Sequence, residues 1–165
     1  MKNVTLIGMP SAGKSTVGVV LAKFTGRRFI DTDLIIQEEY GELLPAIIKR
    51  LGTEGFIKAE SAALARLDTD NSVIATGGSA VYGEEGMRRL KQISDVVYLR
   101  VDPANLASRL GDFQSRGVVT LGARTLDELM AERAPLYEKY ADLTVDEAGI
   151  EQTARAIAAL TASDC

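Results

Sequence analysis

Val4-Thr5-Leu6-Ile7-Gly8-Met9-Pro10-Ser11-Ala12-Gly13-Lys14-Ser15-Thr16 is the stretch whose reading decides the fold. Its apolar, partly β-branched start predicts a buried strand. From Gly8 to Ser15 it then spells G-x-x-x-x-G-K-S, the pattern of a phosphate-cradling loop. Glycines at that spacing let backbone N–H groups curl around a phosphate, while Lys14 supplies a point charge and the Ser15 hydroxyl is a ligand for Mg²⁺. The loop residues Gly8, Ser11, Ala12, Gly13, Lys14, Ser15 and Thr16 are therefore the candidate nucleotide contacts. Val17, Val20, Leu21 and Phe24 follow at helical spacing, with Gly26 as a cap beyond them. That helix points its positive end at the anion, so strand, loop and helix fall in the order the motif requires.

At 165 residues the length is that of one domain, long enough to bury about two thirds of its unfolded surface. Hydrophobic residues make up 46% and charged residues 25%, which suggests neither disorder nor a membrane protein. A net charge of −4 without a long basic run argues against nucleic acid as the main partner. No apolar run reaches the length of a membrane span, and Gly8 and Pro10 break the apolar start too soon for a signal peptide. The single cysteine, Cys165, permits no intrachain disulfide, and a reducing, cytoplasmic setting is expected. There is no histidine, so any acid–base work falls to Asp, Glu, Lys and Arg.

Beyond the first helix, Arg28-Phe29-Ile30-Asp31-Thr32-Asp33 reads as a short strand ending in two carboxylates. Extended backbone there puts Asp31 and Asp33 on one side, at the carboxyl end of a strand, where α/β sheets hold ligands. One acid then holds Mg²⁺ through water and the other takes a proton from a hydroxyl; alternatively one of them only caps the helix from Leu34. Leu34 to Leu67 is helical, interrupted near Gly41, Pro45 and Gly52. Phe56, Glu60, Ala63 and Leu67 share a stripe, with Ile57 beside Glu60; the glutamate is either a boundary residue or the holder of a nearby Arg.

Ser72-Val73-Ile74-Ala75-Thr76 predicts a strand running into Gly77-Gly78-Ser79, either a plain tight turn or a close approach of backbone to ligand. Glu84 to Gln92 reads as a helix, Val96 to Val101 as a strand, and Pro103 opens a helix carrying Leu106, Arg109 and Leu110. Periodicity lapses from Gly111 to Ala123, and a loop that long predicts a lid. Thr125-Leu126-Asp127-Glu128 has capping-box spacing and starts a helix through Leu129, Arg133, Leu136 and Tyr137. Arg133 in that apolar set either snorkels at a boundary or points into a site. Asp142 to Asp146 is a strand and Ile150 to Leu160 a closing helix, so strands alternate with helices as in a parallel sheet covered on both faces.

Taken in order, the phosphate loop, Phe29-x-Asp31-x-Asp33, Phe56-x-x-x-Glu60, Gly77-Gly78, Arg116 in the lid and Glu132-Arg133-Ala134-Pro135-Leu136-Tyr137 resemble the shikimate kinase family over nearly the whole chain. The resemblance implies a three-layer α/β/α phosphate-loop kinase fold, with a five-stranded parallel sheet of order 2-3-1-4-5. It implies one kinase domain over 1–165, with acceptor-binding helices over about 34–67 and a lid over about 111–123. ATP and Mg²⁺ are the implied cofactors, and the implied reaction moves the γ-phosphoryl group to a hydroxyl of a small hydroxy acid, with shikimate as the default acceptor. By position, Lys14 and Ser15 serve the phosphates and metal, Asp31 reaches the metal through water, and Asp33 binds and deprotonates the acceptor. Gly77 and Gly78 touch the acceptor, Arg133 pairs with its carboxylate, Arg109 lies against adenine and Arg116 arrives with the lid.

Three positions depart from the family pattern. Ile57 stands where an Arg usually helps clamp the carboxylate, with Lys58, a helical step of about 100° away, the nearest cation. Ser79 replaces a third glycine and adds a hydroxyl beside the acceptor. Arg116-Gly117-Val118-Val119 replaces a lid sequence that usually carries proline. Ile57, Glu60 and Ser79 thus join Asp33, Gly77, Gly78 and Arg133 as acceptor-site candidates. Two other readings of these residues are a kinase of another hydroxy acid such as homoserine, which Arg133 alone could hold, and a catalytically weak nucleotide-binding regulator. A monomer acting on a small molecule, without nucleic acid or membrane, is expected.

Overall fold

The opening strand and loop form as their residues require. In the computed structural model, which describes residues 2–111 and 118–162, β1 (Asn3–Ile7) is buried along its whole length. The chain then turns through Gly8 at φ 148°, where a Cβ would lie 2.6 Å from the Leu99 carbonyl oxygen of the neighbouring strand. Only glycine fits that approach. Helix α1 (Lys14–Thr25) starts from Gly13 and ends on Gly26, both left-handed, as the Gly-rich punctuation predicts.

Five strands make one parallel sheet in the order β2-β3-β1-β4-β5, with β2 at Arg28–Asp31, β3 at Ser72–Ala75, β4 at Ser94–Arg100 and β5 at Leu143–Asp146. This is the order expected. Central β1 pairs with both β3 (Val4 opposite Val73) and β4 (Thr5 opposite Val96). The step from β1 to β2 runs one way along the sheet, and the later steps through β3 and β4 to β5 run the other. Right-handed crossovers therefore put α1 on one face and the helices of the later crossovers on the opposite face. Accordingly α7 (Ile150–Thr161) packs on α1, and α3 (Leu44–Ala65) packs on α4 (Glu84–Ile93).

The predicted strand over Arg28–Asp33 is shorter than expected. It stops at Asp31, whose side chain accepts the Asp33 N–H at 3.0 Å and so caps α2 (Thr32–Tyr40). Asp33 sits in the first turn of that helix, so the two acids are brought together by a cap and not by strand alternation. Gly41 ends α2 in the left-handed region, Pro45 lies in the first turn of α3, and Gly52 kinks α3 with φ 70° and ψ 175°. A 3₁₀ turn covers Ala80–Tyr82, and α5 spans Pro103–Leu110. Helix α6 (Leu126–Tyr140) begins with the predicted capping box, Thr125 and Glu128 bonding reciprocally.

The main core fills both faces of the sheet. A second, smaller apolar cluster joins Ile36, Ile47, Phe56, Ala63 and Val119, tying α2, α3 and the segment after the 111–123 loop's undescribed part into one wall. Among the described residues no helix is long and apolar enough to cross a membrane.

Candidate active site

Two cavities open at the carboxyl ends of the central strands, and they share Pro10, Asp33, Gly77 and Gly78. The first, about 310 Å³, is walled by the phosphate loop: Ser11, Gly13, Lys14, Ser15 and Thr16, with Thr76 across from them. Lys14 is buried and donates to the carbonyls of Gly8 (2.8 Å) and Met9 (2.7 Å). Burial pulls its ammonium down to a pKa of about 8, against the attraction of Asp33. Ser11 is held at φ 61°, a left-handed conformation that a non-glycine residue seldom adopts. Gly8 and Ala12 shape the loop from behind and do not line the cavity.

The Ser15 hydroxyl donates to Asp31 Oδ2 at 2.8 Å, placing two hard oxygen donors side by side at the loop. Both are exposed enough to exchange that bond for a cation, and the pair suits Mg²⁺, which keeps several waters and takes few protein ligands. Among the described residues no cluster of three or more acidic, His or Cys side chains offers a caged metal site.

The second cavity, about 140 Å³, is apolar on one side, where Leu44, Ile48, Phe56, Val118 and Val119 line it, and polar on the other, with Asp33, Ser79 and Arg133. Arg133 projects from α6 and is 1% exposed, so its predicted choice is resolved: it points inward. Its Nε donates to the Tyr82 hydroxyl at 3.0 Å, its Nη2 donates to the Val119 carbonyl, and its guanidinium lies 5.2 Å from the Tyr82 ring centroid. Nη1 has no partner. Tyr82 in turn donates to Glu132, and Tyr137, stacked on Tyr98 with centroids 5.1 Å apart, donates to the Gly78 carbonyl at 2.7 Å.

Asp33 Oδ1 and Glu60 Oε1 are likewise buried without partners among the described residues. Both face Gly77, where a Cβ would lie 2.8 Å from the first and 2.7 Å from the second. At Gly78 a Cβ would come within 2.7 Å of Arg133 Nη1. The two glycines are therefore required by the approach of three charged side chains. Burial and the neighbouring Asp31 raise the Asp33 pKa above the usual carboxylate range, while Lys14 opposes them. Glu60 is 1% exposed and burial pushes it up to about 7, although a 2.6 Å hydrogen bond from Ser79 Oγ holds it down.

Not every expected residue converges here. Ile57 is half-buried in the smaller apolar cluster and does not line the second cavity, and Lys58 is exposed. Arg109 lies outside both cavities, paired with Glu147 at 3.0 Å. Arg116 and Gly117 fall outside the described residues. Conversely, Thr76, Tyr82, Val119 and the apolar wall of Leu44 and Ile48 were not among the candidates; Thr76, next to Gly77-Gly78, carried a positional signal, whereas Tyr82 carried none.

Residues 10–162 match the family model described as shikimate kinase. A shikimate kinase of Thiobacillus denitrificans is 38% identical over 149 residues, covering 88% of this chain and 81% of that protein. One of Bordetella avium is 40% identical over 146 residues, covering 87% and 70%. Among solved structures, shikimate kinase from Acinetobacter baumannii in complex with shikimate superposes with a TM-score of 0.88 at 31% identity, covering 99% of this chain and 94% of that one.

Proposed function

The chain belongs to the shikimate kinase family, and from that premise we propose a division of labour among the residues of its two cavities. It is an ATP- and Mg²⁺-dependent small-molecule kinase that transfers the γ-phosphoryl group of ATP to a hydroxyl of shikimate, a step of aromatic amino-acid biosynthesis. What supports the assignment of roles is a pair of buried atoms on residues that line the second cavity, Asp33 Oδ1 and Arg133 Nη1, neither of which has a partner among the described residues. Unpartnered buried groups cost roughly 1–3 kcal/mol each, more when charged, and a hydroxy acid supplies the complement. Its carboxylate meets Arg133 Nη1 and its hydroxyl meets Asp33.

In this reading the phosphates of ATP lie along the loop, and Lys14 leaves the Gly8 and Met9 carbonyls for them. Ser15 and, through water, Asp31 hold Mg²⁺, which neutralises phosphate charge when bound. Asp33, the polar residue common to both cavities, takes the proton of the acceptor hydroxyl as that oxygen bonds the γ-phosphorus and the bond to the β–γ bridging oxygen breaks. A raised pKa suits it for this, since a base nearer neutrality holds the proton better. The apolar wall excludes water, which protects ATP from hydrolysis. Arg109 lies against adenine, Gly77 and Gly78 touch the acceptor, Glu60 holds Ser79 behind it while Ile57 stays in the apolar cluster, and Arg116 completes the charge clamp.

Residues 1–165 work as one kinase unit, with acceptor helices at 34–67 and a lid at 111–123. We infer a monomer in the cytoplasm, without nucleic-acid or membrane partners; the single cysteine and the acidic net charge support this. A coupled assay of ADP release over a panel of hydroxy acids tests the acceptor. ADP release with shikimate and none with homoserine is the expected outcome; release with homoserine alone, or equal release without any acceptor, overturns the reading.

A further inference from the structure

Ser79 lines the acceptor cavity from a backbone that strains no side chain, φ −89° and ψ −4°, and it is 6% exposed. Its hydroxyl proton is already committed, since Oγ donates to Glu60 Oε2 at 2.6 Å. That is the one side-chain hydrogen bond of Glu60 among the described residues, and the other carboxylate oxygen has none. Among the described residues no ion pair reaches Glu60, although the charges of Arg133 and Lys14 favour its ionised form; three residues earlier, on the adjoining helical face, stands the apolar Ile57. Ser79 thus supplies the hydrogen bond to this carboxylate, which in return fixes the direction of the hydroxyl.

A serine hydroxyl has one donor and two acceptor lone pairs. With the donor spent on an ionised carboxylate, only lone pairs remain for the cavity. Resting on the reading that shikimate occupies this cavity, we propose that Ser79 is a specificity-determining contact that shows the acceptor an oxygen able only to accept, with Glu60 as the positioning residue that holds it so. The polar rim then has two unlike edges. Ser79 Oγ and Asp33 Oδ1 accept, and Arg133 Nη1 donates. A hydroxy acid fits in one direction, its carboxylate on Arg133 and its hydroxyls toward Ser79 and Asp33. The reversed pose sets a carboxylate against two acceptor side chains.

Steady-state kinetics of Ser79→Ala, Glu60→Gln and the double variant at pH 8, where Glu60 is ionised, test this. Ser79→Ala is expected to raise KM for shikimate about tenfold, with kcat and the KM for ATP within about threefold of the parent, consistent with loss of one hydrogen bond in a buried site. Glu60→Gln, which frees the hydroxyl to turn, is expected to raise KM about threefold. The double variant should match Ser79→Ala alone, because Glu60 acts through Ser79. With the carboxamide of shikimate the Ser79→Ala penalty should persist. A Ser79→Ala KM within twofold of the parent, a double-variant effect equal to the product of the singles, or a penalty that vanishes with the carboxamide each overturns the proposal. Ser79→Gly guards against a packing defect and must show the same KM loss. If the parent enzyme itself fails to phosphorylate shikimate, the reading of the acceptor falls; if it turns over and the variants leave KM unmoved, this inference alone falls.

Discussion

The two cavities solve opposite problems. The phosphate loop is built from consecutive residues, and its charged side chain is satisfied before any ligand arrives, with Lys14 resting on the Gly8 and Met9 carbonyls. The acceptor cavity gathers Asp33, Phe56, Ser79, Val119 and Arg133 from five parts of the chain, and single buried atoms of its charged groups have no partner among the described residues. A loop content without its ligand accepts any phosphate that offers oxygens to backbone N–H groups. A cavity with orphaned donors and acceptors rejects every molecule that fails to pair them, the most discriminating arrangement a binding site has. Generality and selectivity are thus segregated, and Asp33, which lines both cavities, stands where they meet.

The largest effect should come from breaking the generic half. Lys14→Met is expected to lower kcat/KM for ATP by roughly 10³-fold, the scale of losing one preorganised charge at a transferring phosphoryl group, while leaving the KM for shikimate nearly unchanged. An equal loss in both substrates would dissolve the division between the cavities. Next comes their junction. Asp33→Asn keeps the shape and removes the base, so kcat should fall by roughly 10²-fold or more in a coupled ADP-release assay with both KM values within a few fold. Near-normal kcat would reduce Asp33 to a first-turn helix residue.

Legibility in the sequence follows the same division. Gly8 to Ser15 could be read residue by residue because a contiguous loop needs only its own backbone, whereas the 2.6 Å approach to the Leu99 carbonyl that makes Gly8 a glycine leaves no mark in the sequence. The sheet order was not readable from periodicity; it entered through the family resemblance, since strand neighbours are set by crossovers that leave no local mark. In the acceptor half the charged residues stood out as anomalies on apolar faces, Glu60 in α3 and Arg133 in α6, but their partners did not. Tyr82 and Val119 reach Arg133 only through tertiary packing, and Ser79, visible as a departure from a glycine, showed nothing of its bond to Glu60. Ile57 shows the converse: helical spacing set it beside Glu60, yet its side chain is taken up by the small apolar cluster. The selective half can be tested on its own by Arg133→Lys, which keeps the charge and loses the fork. The expected result is a rise in KM for shikimate of roughly 10–10²-fold, as for a charge-assisted pair of about 1.5–3 kcal/mol, with the KM for ATP unmoved.

The smallest effect is on stability, and it separates the cavities without a ligand. Glu60 has its pKa raised by burial to about 7 in the folded chain, against 4.5 for an unperturbed glutamate. Below pH 4.5 the carboxyl is neutral folded or unfolded and carries no penalty. Between pH 4.5 and 7 the unfolded chain ionises first, so stability falls as pH rises, and above pH 7 the desolvation cost is present in full. Glu60→Gln removes that cost but still buries an amide, so a net gain of about 1 kcal/mol is expected, which for a chain of this size raises Tm by roughly 2–4 °C. Melting curves should show the gain at pH 8 and its disappearance near pH 4.5. A Tm difference independent of pH would mean that Glu60 is not held ionised against its burial. A gain in stability at pH 8 beside a weaker hold on shikimate would show that the selective half is kept at the expense of the fold, as its unpartnered charges require.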